Sequence, residues 1–252
     1  MVPDSVQIMS FAQRITRTPF AYDSERGRDA VHALAMSGSL KSLCEGAAGS
    51  SPFLAEMIAK ESEWLSATLA DAPENTLSGV MSAVEDLLDA ELASGLRQAK
   101  RRVALLTALA DLGGIWTLEE VTVALTNFAD LATDKALKAA IAAEIRRGRI
   151  PGQTENDVET AAGLAVIAMG KGGAFELNYS SDIDLICLYD ETRFDPEDYA
   201  DARNGFVRAV NLVQNPQRSN RRWLCLPYRP APSPRCLGHA GGHFDGGRRT
   251  LL

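Results

Sequence analysis

The sequence predicts a mainly α-helical N-terminal region followed by the opening of an α/β (α+β) domain, and three observations carry that reading. Apolar residues recur at three- and four-residue steps through the first 150 positions. After Pro151-Gly152 the period gives way to two short continuous apolar runs of strand length. Beyond Gln214 the composition changes again, and neither pattern continues.

The helices follow in order. Ser51 is a good N-cap with Pro52 at the first helical position, and Leu54, Ile58, Leu65 and Leu69 give one helix running toward Asp71-Ala72-Pro73. Val80, Val84, Leu87, Leu88 and Leu92 begin a second stripe. It resumes through Leu96, Val103, Leu106, Leu109 and Leu112 until Gly113-Gly114 stops it. Leu118, Val121, Leu125, Phe128 and Ala132 make a third, after which Thr133 or Asp134 can cap another helix carrying Leu137, Ile141 and Ile145 to Gly148. These stripes read as core. Arg101-Arg102 and Arg146-Arg147 read as solvated faces, and His32, inside a helical Ala-Val-His-Ala-Leu stretch, as no catalyst. Past the acidic run Glu155 to Glu159, residues 164–169 and 185–189 are the two apolar runs, expected as buried strands, with a helix from about Pro196 to Val213 behind them.

Composition bounds the function. The chain has 252 residues, 46% hydrophobic and 23% charged, which suits a soluble globular protein. No apolar run approaches the roughly 20 residues of a membrane span, and Met1 to Phe20 lacks a secretory apolar core, so a cytoplasmic location without membrane partners is expected. Cys44, Cys187, Cys225 and Cys236 form no Cys-x-x-Cys pair and no metal-ligand spacing with histidine, so free thiols are expected. Residues 1–214 hold 19 Lys and Arg against 32 Asp and Glu, whereas residues 215–252 hold seven Arg and the single acid Asp245.

The chemistry lies between the two apolar runs. Asp182 and Asp184 are two apart at the mouth of a strand, so both side chains leave one face and can reach one point. A carboxylate pair of this kind suits Mg²⁺, which binds one or two carboxylates together with substrate phosphates. Upstream, Gly170, Gly172 and Gly173 let the backbone approach an anion closely, and Lys171 and Ser181 add side-chain donors. The turn is neither a Walker A loop, since Gly172 follows Lys171, nor a Gly-x-Gly-x-x-Gly dinucleotide fingerprint.

A strand, a Gly-Lys turn, about ten residues and then Asp-x-Asp resembles the nucleotidyltransferase superfamily of DNA polymerase β. The longer string from Ala168-Met169-Gly170-Lys171 through Gly173-Ala174-Phe175-Glu176-Leu177-Asn178-Tyr179-Ser180-Ser181-Asp182-Ile183-Asp184-Leu185-Ile186 closely resembles the glutamine synthetase adenylyltransferase/adenylyl-removing enzymes. The Asn-Tyr-Ser-Ser-Asp-Ile-Asp form, like the helical residues 80–150, is similar to the N-terminal adenylyl-removing half of that family. Gly172 stands where the family usually has Leu or Met.

The resemblance implies a phosphorolysis, with inorganic phosphate attacking the α-phosphorus of an AMP group on a tyrosine of adenylylated glutamine synthetase and releasing ADP. It implies Asp182 and Asp184 as catalytic Mg²⁺ ligands, and Gly170, Lys171, Gly173 and Ser181 as nucleotide and phosphate contacts. A PII-type nitrogen-signalling protein is a further implied partner. Two alternatives stay open: adenylyl transfer from ATP to glutamine synthetase, and a non-catalytic helical interaction module.

The family's third carboxylate lies in an Asp-Leu-Arg-Leu-Arg-Pro motif, which residues 215–252 lack. Back-translated from Asn215 with free synonymous codons, those residues permit a next-frame reading that contains the motif. The expected organisation is therefore a helical region at 1–150, an incomplete nucleotidyltransferase domain at 151–214, and a frame-shifted, disordered Pro/Gly/Arg-rich tail at 215–252 that leaves activity impaired. On that reading the tail's basic character is accidental, and no nucleic-acid partner is expected.

Overall fold

The computed structural model describes residues 9–32, 34–214 and 249–251. The chain divides into two compact units, Met1–Asp86 with Gln98–Phe128, and Leu87–Arg97 with Ala129–Leu252.

The first unit is helical. It contains α1 (Phe11–Arg14), α2 (Ser24–Val31), α3 (Gly38–Ser50), α4 (Pro52–Lys60), α5 (Ser62–Thr68) and α6 (Pro73–Glu85), with parts of α7 (Leu92–Leu112) and α8 (Leu118–Arg146). Leu43, Ile58, Leu65, Leu105, Leu106 and Leu109 are almost wholly buried and make its core. Ser51 caps α4 as expected, accepting from the Leu54 amide at 3.3 Å. The single helix expected from Pro52 to Asp71 is instead two, broken at Glu61. That carboxylate is 3% exposed and receives Nε of both Arg101 and Arg102 at 2.9 Å. Arg102 also lies over the Trp64 ring, 5.2 Å from its centroid. The two arginines therefore hold a helix junction and are not simply solvated.

The stripe from Val80 to Leu112 is likewise interrupted, because α6 ends at Glu85 and α7 starts at Leu92, leaving Leu88 exposed. Thr133 and Asp134 start no new helix. The element is continuous for 29 residues, with Thr133 buried and Asp134 paired along the helix with Lys138 at 3.0 Å.

In the second unit, β1 (Leu164–Met169) leads through the one-turn helix α9 (Gly170–Gly173) to β2 (Asp184–Asp190), followed by α10 (Tyr199–Gln214). The strands are antiparallel, with Leu164 opposite Tyr189 and Met169 opposite Asp184, and β3 (Arg249–Leu251) pairs antiparallel with β2. The tail expected to be disordered spans 215–252, of which only β3 lies among the described residues.

Directly opposed residues share a face of the sheet. Leu164, Cys187 and Tyr189 lie on the covered face, where Tyr189 packs on Phe206 of α10 with ring centroids 5.0 Å apart and on Phe194 at 6.3 Å. Ala165, Ile167 and Met169 of β1 point the other way and are exposed, so the expectation of a strand buried on both faces is corrected to a half-buried edge strand. Among the described residues α10 covers the face of Tyr189, and Asp184, opposite Met169, belongs to the other face.

Candidate active site

The site is built on the turn between β1 and β2. Gly170 leaves β1 with φ +56°, in the left-handed region where glycine alone is unstrained, and its position for a β-carbon lies 3.6 Å from Oδ2 of Asp184. The turn and the Asp184 carboxylate therefore meet at the end of the hairpin. A β-carbon on Gly173 would collide with the Ala168 carbonyl oxygen, so that glycine lets α9 fold back on the strand it follows. Lys171 and Gly173 are exposed, whereas Gly172 is buried against Ala168 and Leu177.

α9 closes by a double hydrogen bond of the Schellman kind. The Phe175 amide donates to the Gly172 carbonyl at 3.1 Å, and the Glu176 amide to that of Lys171 at 2.8 Å. Phe175 takes the left-handed position at φ +59°, which costs a non-glycine residue about 1–2 kcal/mol, and its side chain remains 48% exposed.

Ile183 is buried, and Asp182 and Asp184 on either side of it are half-buried. The alternation is the one in which residues 182 and 184 of extended backbone share a side, although β2 itself begins only at Asp184. Oxygen donors of this type fit Mg²⁺, whose coordination is completed by water and substrate phosphates. Among the described residues no cluster of three or more Asp, Glu, His or Cys is present.

Ser181 is turned into its own loop. Its hydroxyl donates to Oδ1 of Asn178 at 2.7 Å and accepts from the Asn178 amide at 3.2 Å, while the Ser180 amide donates to the same Oδ1 at 3.1 Å. Asn178 thus fixes the loop that delivers Asp182. Its place ahead of two serines is the usual signal for such a side-chain turn, although the sequence reading assigned it no role.

A charged knot lies in the same unit. Glu144, 1% exposed, receives Arg147 at 2.7 Å, Arg208 of α10 at 3.0 Å and Arg149 at 3.4 Å. Burial pushes its carboxyl up, but the three guanidiniums outweigh this and hold it below its ordinary value. Arg147, expected on a solvated face, is thereby a structural partner. Arg146 pairs with Asp89 at 3.2 Å.

Comparison with known proteins agrees with the motif. Residues 40–214 match the family model described as glutamate-ammonia ligase adenylyltransferase. A bifunctional glutamine synthetase adenylyltransferase/adenylyl-removing enzyme of Xanthobacter autotrophicus is 39% identical over 182 residues, covering 69% of this chain and 18% of the relative. The protein of the same name from Caulobacter vibrioides is 43% identical over 143 residues, covering 55% and 14%. No solved structure matches. The chain spans less than a fifth of the length of these curated relatives. The family match takes in α4 to α10 together with the glycine turn and both aspartates, and on that ground the chain belongs to the glutamate-ammonia ligase adenylyltransferase family.

Proposed function

We propose that this chain carries a Mg²⁺-dependent nucleotidyl site of the adenylyl-removing kind, acting on adenylylated glutamine synthetase with inorganic phosphate as the second substrate. The observation that carries the reading is the meeting of the Gly170 turn with the Asp184 carboxylate on the face of the sheet away from α10. The relatives' names support the substrate class, and the likeness of the Asn178-to-Asp184 string to the family's adenylyl-removing half supports the direction.

In this reading the exposed Lys171 ammonium and the backbone of residues 170–173 bind phosphate oxygens. Asn178 keeps Ser181 and the Asp182 loop in register through the Ser181 hydroxyl, which becomes a further phosphate contact only when its proton turns from Asn178 Oδ1 to the phosphate. Mg²⁺ held by Asp182 and Asp184 would neutralise charge on the transferring group. As a phosphate oxygen bonds to the α-phosphorus, the bond to the tyrosine oxygen breaks, giving ADP and the unmodified tyrosine. Catalysis is then positioning and charge neutralisation, without a covalent enzyme intermediate. We also propose that activity is impaired, because residues 215–252 lack the third-carboxylate motif.

Incubating the chain with adenylylated glutamine synthetase, phosphate and Mg²⁺ should release ADP, and Asp182→Asn and Asp184→Asn should abolish that release and weaken Mg²⁺ binding. ATP-dependent labelling of unmodified glutamine synthetase would instead favour transfer. Glutamine synthetase binding unchanged in Asp182→Asn, with no Mg²⁺ binding by the unaltered chain, would support the interaction-module reading and end this one.

A further inference from the structure

We propose that the ring of Phe175 is the stacking platform for the base of the nucleotide held at this site, an inference that rests on the nucleotidyl reading above. Phe175 occupies the left-handed position that ends α9, at φ +59°, where glycine is the unstrained residue. A large apolar side chain can repay such strain by burial, but this ring is 48% exposed. Nor is it needed to lock the turn. The buried Leu177 does that, with Cδ1 4.0 Å from the β-carbon position of Gly172, and the turn's hydrogen bonds are made by backbone groups that any residue supplies. The buried half of the residue is enough to offset the strain, and the exposed half has no packing or capping role.

What remains is the π-face of an aromatic ring in a stiff backbone setting, which is the surface a nucleobase stacks on. A helix of four residues is about 6 Å long. Gly170, beside the Asp184 carboxylate, and Phe175 therefore stand at the two ends of one turn, with Lys171 between them. Phosphates at the Gly170 end leave a base within reach of the Phe175 end.

Calorimetric titration of the full chain with AMP, ribose 5-phosphate and inorganic phosphate in Mg²⁺, alongside thermal melts, tests the assignment. Phe175→Gly should melt within about 8 °C of the unaltered chain, because relief of the left-handed strain offsets part of the lost burial and the added unfolded-state freedom. It should bind AMP about tenfold more weakly, with ribose 5-phosphate and phosphate unchanged. Phe175→Leu should lose AMP affinity alike, and Phe175→Trp should keep it. AMP affinity retained by both Phe175→Gly and Phe175→Leu overturns the platform. So does an equal loss of ribose 5-phosphate affinity, a melting temperature for Phe175→Gly lower by more than about 8 °C, which would make the ring a core residue, or a defect confined to binding adenylylated glutamine synthetase, which would give the ring to the protein substrate. A folded unaltered chain that binds none of the three ligands overturns the nucleotidyl reading itself, and the platform with it.

Discussion

Gly170 and Asp184 meet at the open end of the β1–β2 hairpin, where a β-carbon on the glycine would stand 3.6 Å from a carboxylate oxygen of the aspartate. That distance is ordinary contact, so space alone does not exclude alanine at 170. The backbone does, since φ +56° costs a residue with a β-carbon about 1–2 kcal/mol. Gly170→Ala should lower the melting temperature by about 2–8 °C, read by circular dichroism. It should also weaken Mg²⁺ binding if strain moves the turn away from Asp184. A melt coincident with that of the unaltered chain would show that the turn is not held in the left-handed region.

Two residues on, the same substitution should have the opposite sign. Gly172 has no left-handed backbone, and a β-carbon there would meet Ala168 at 3.6 Å and Leu177 at 4.0 Å in ordinary contact. Alanine removes unfolded-state freedom without strain, worth about 0.4–1 kcal/mol. Gly172→Ala should therefore raise the melting temperature by about 1–4 °C. A fall would mean that the buried turn has no room for a methyl group.

The site was legible in the sequence because its parts are local. The glycines, Lys171 and the Asp-x-Asp pair lie within 15 residues, and strand period and turn chemistry place them without reference to distant chain. What escaped was set by long-range contacts. The break at Glu61 depends on Arg101 and Arg102, 40 and 41 residues on, and no local signal marks it. Thr133-Asp134 looks like a cap in sequence, yet inside a helix Asp134 pairs with Lys138 and the chain runs through. An apolar run such as 164–169 says that a strand forms, but not how many of its faces find a neighbour.

Acid stability of the second unit should depend on Glu144. Its carboxyl sits below the ordinary value of 4.5 in the folded chain because Arg208, Arg147 and Arg149 outweigh burial. The group therefore binds its proton less readily folded than unfolded. Its stabilisation is complete above the unfolded value and is lost as pH falls from about 4.5 through the depressed folded value. Glu144→Gln should cost about 2 kcal/mol at pH 7, moderated by the half-exposed arginines, and the gap from the unaltered chain should close below that pH in urea titrations. A gap constant down to pH 3 would mean that the carboxylate charge contributes nothing.

The two described cysteines should report separately on the two units. Burial, then the neighbouring Glu45 charge, pushes the Cys44 thiol in the first unit up to about 12, and burial pushes Cys187 in the second to about 11. Since the thiolate is the reactive form, at pH 8 only about 10⁻⁴ of Cys44 and 10⁻³ of Cys187 is ionised even before access is considered. In a Cys225→Ser/Cys236→Ser background, a disulfide-exchange reagent should modify neither thiol of the native chain within minutes and both in denaturant. Intermediate urea should then separate the two, because each reacts only when its own unit opens. Cys187, in the unit whose sheet packs on α10 through one face, should react first. Simultaneous modification across the whole titration would show instead that the two units unfold as one.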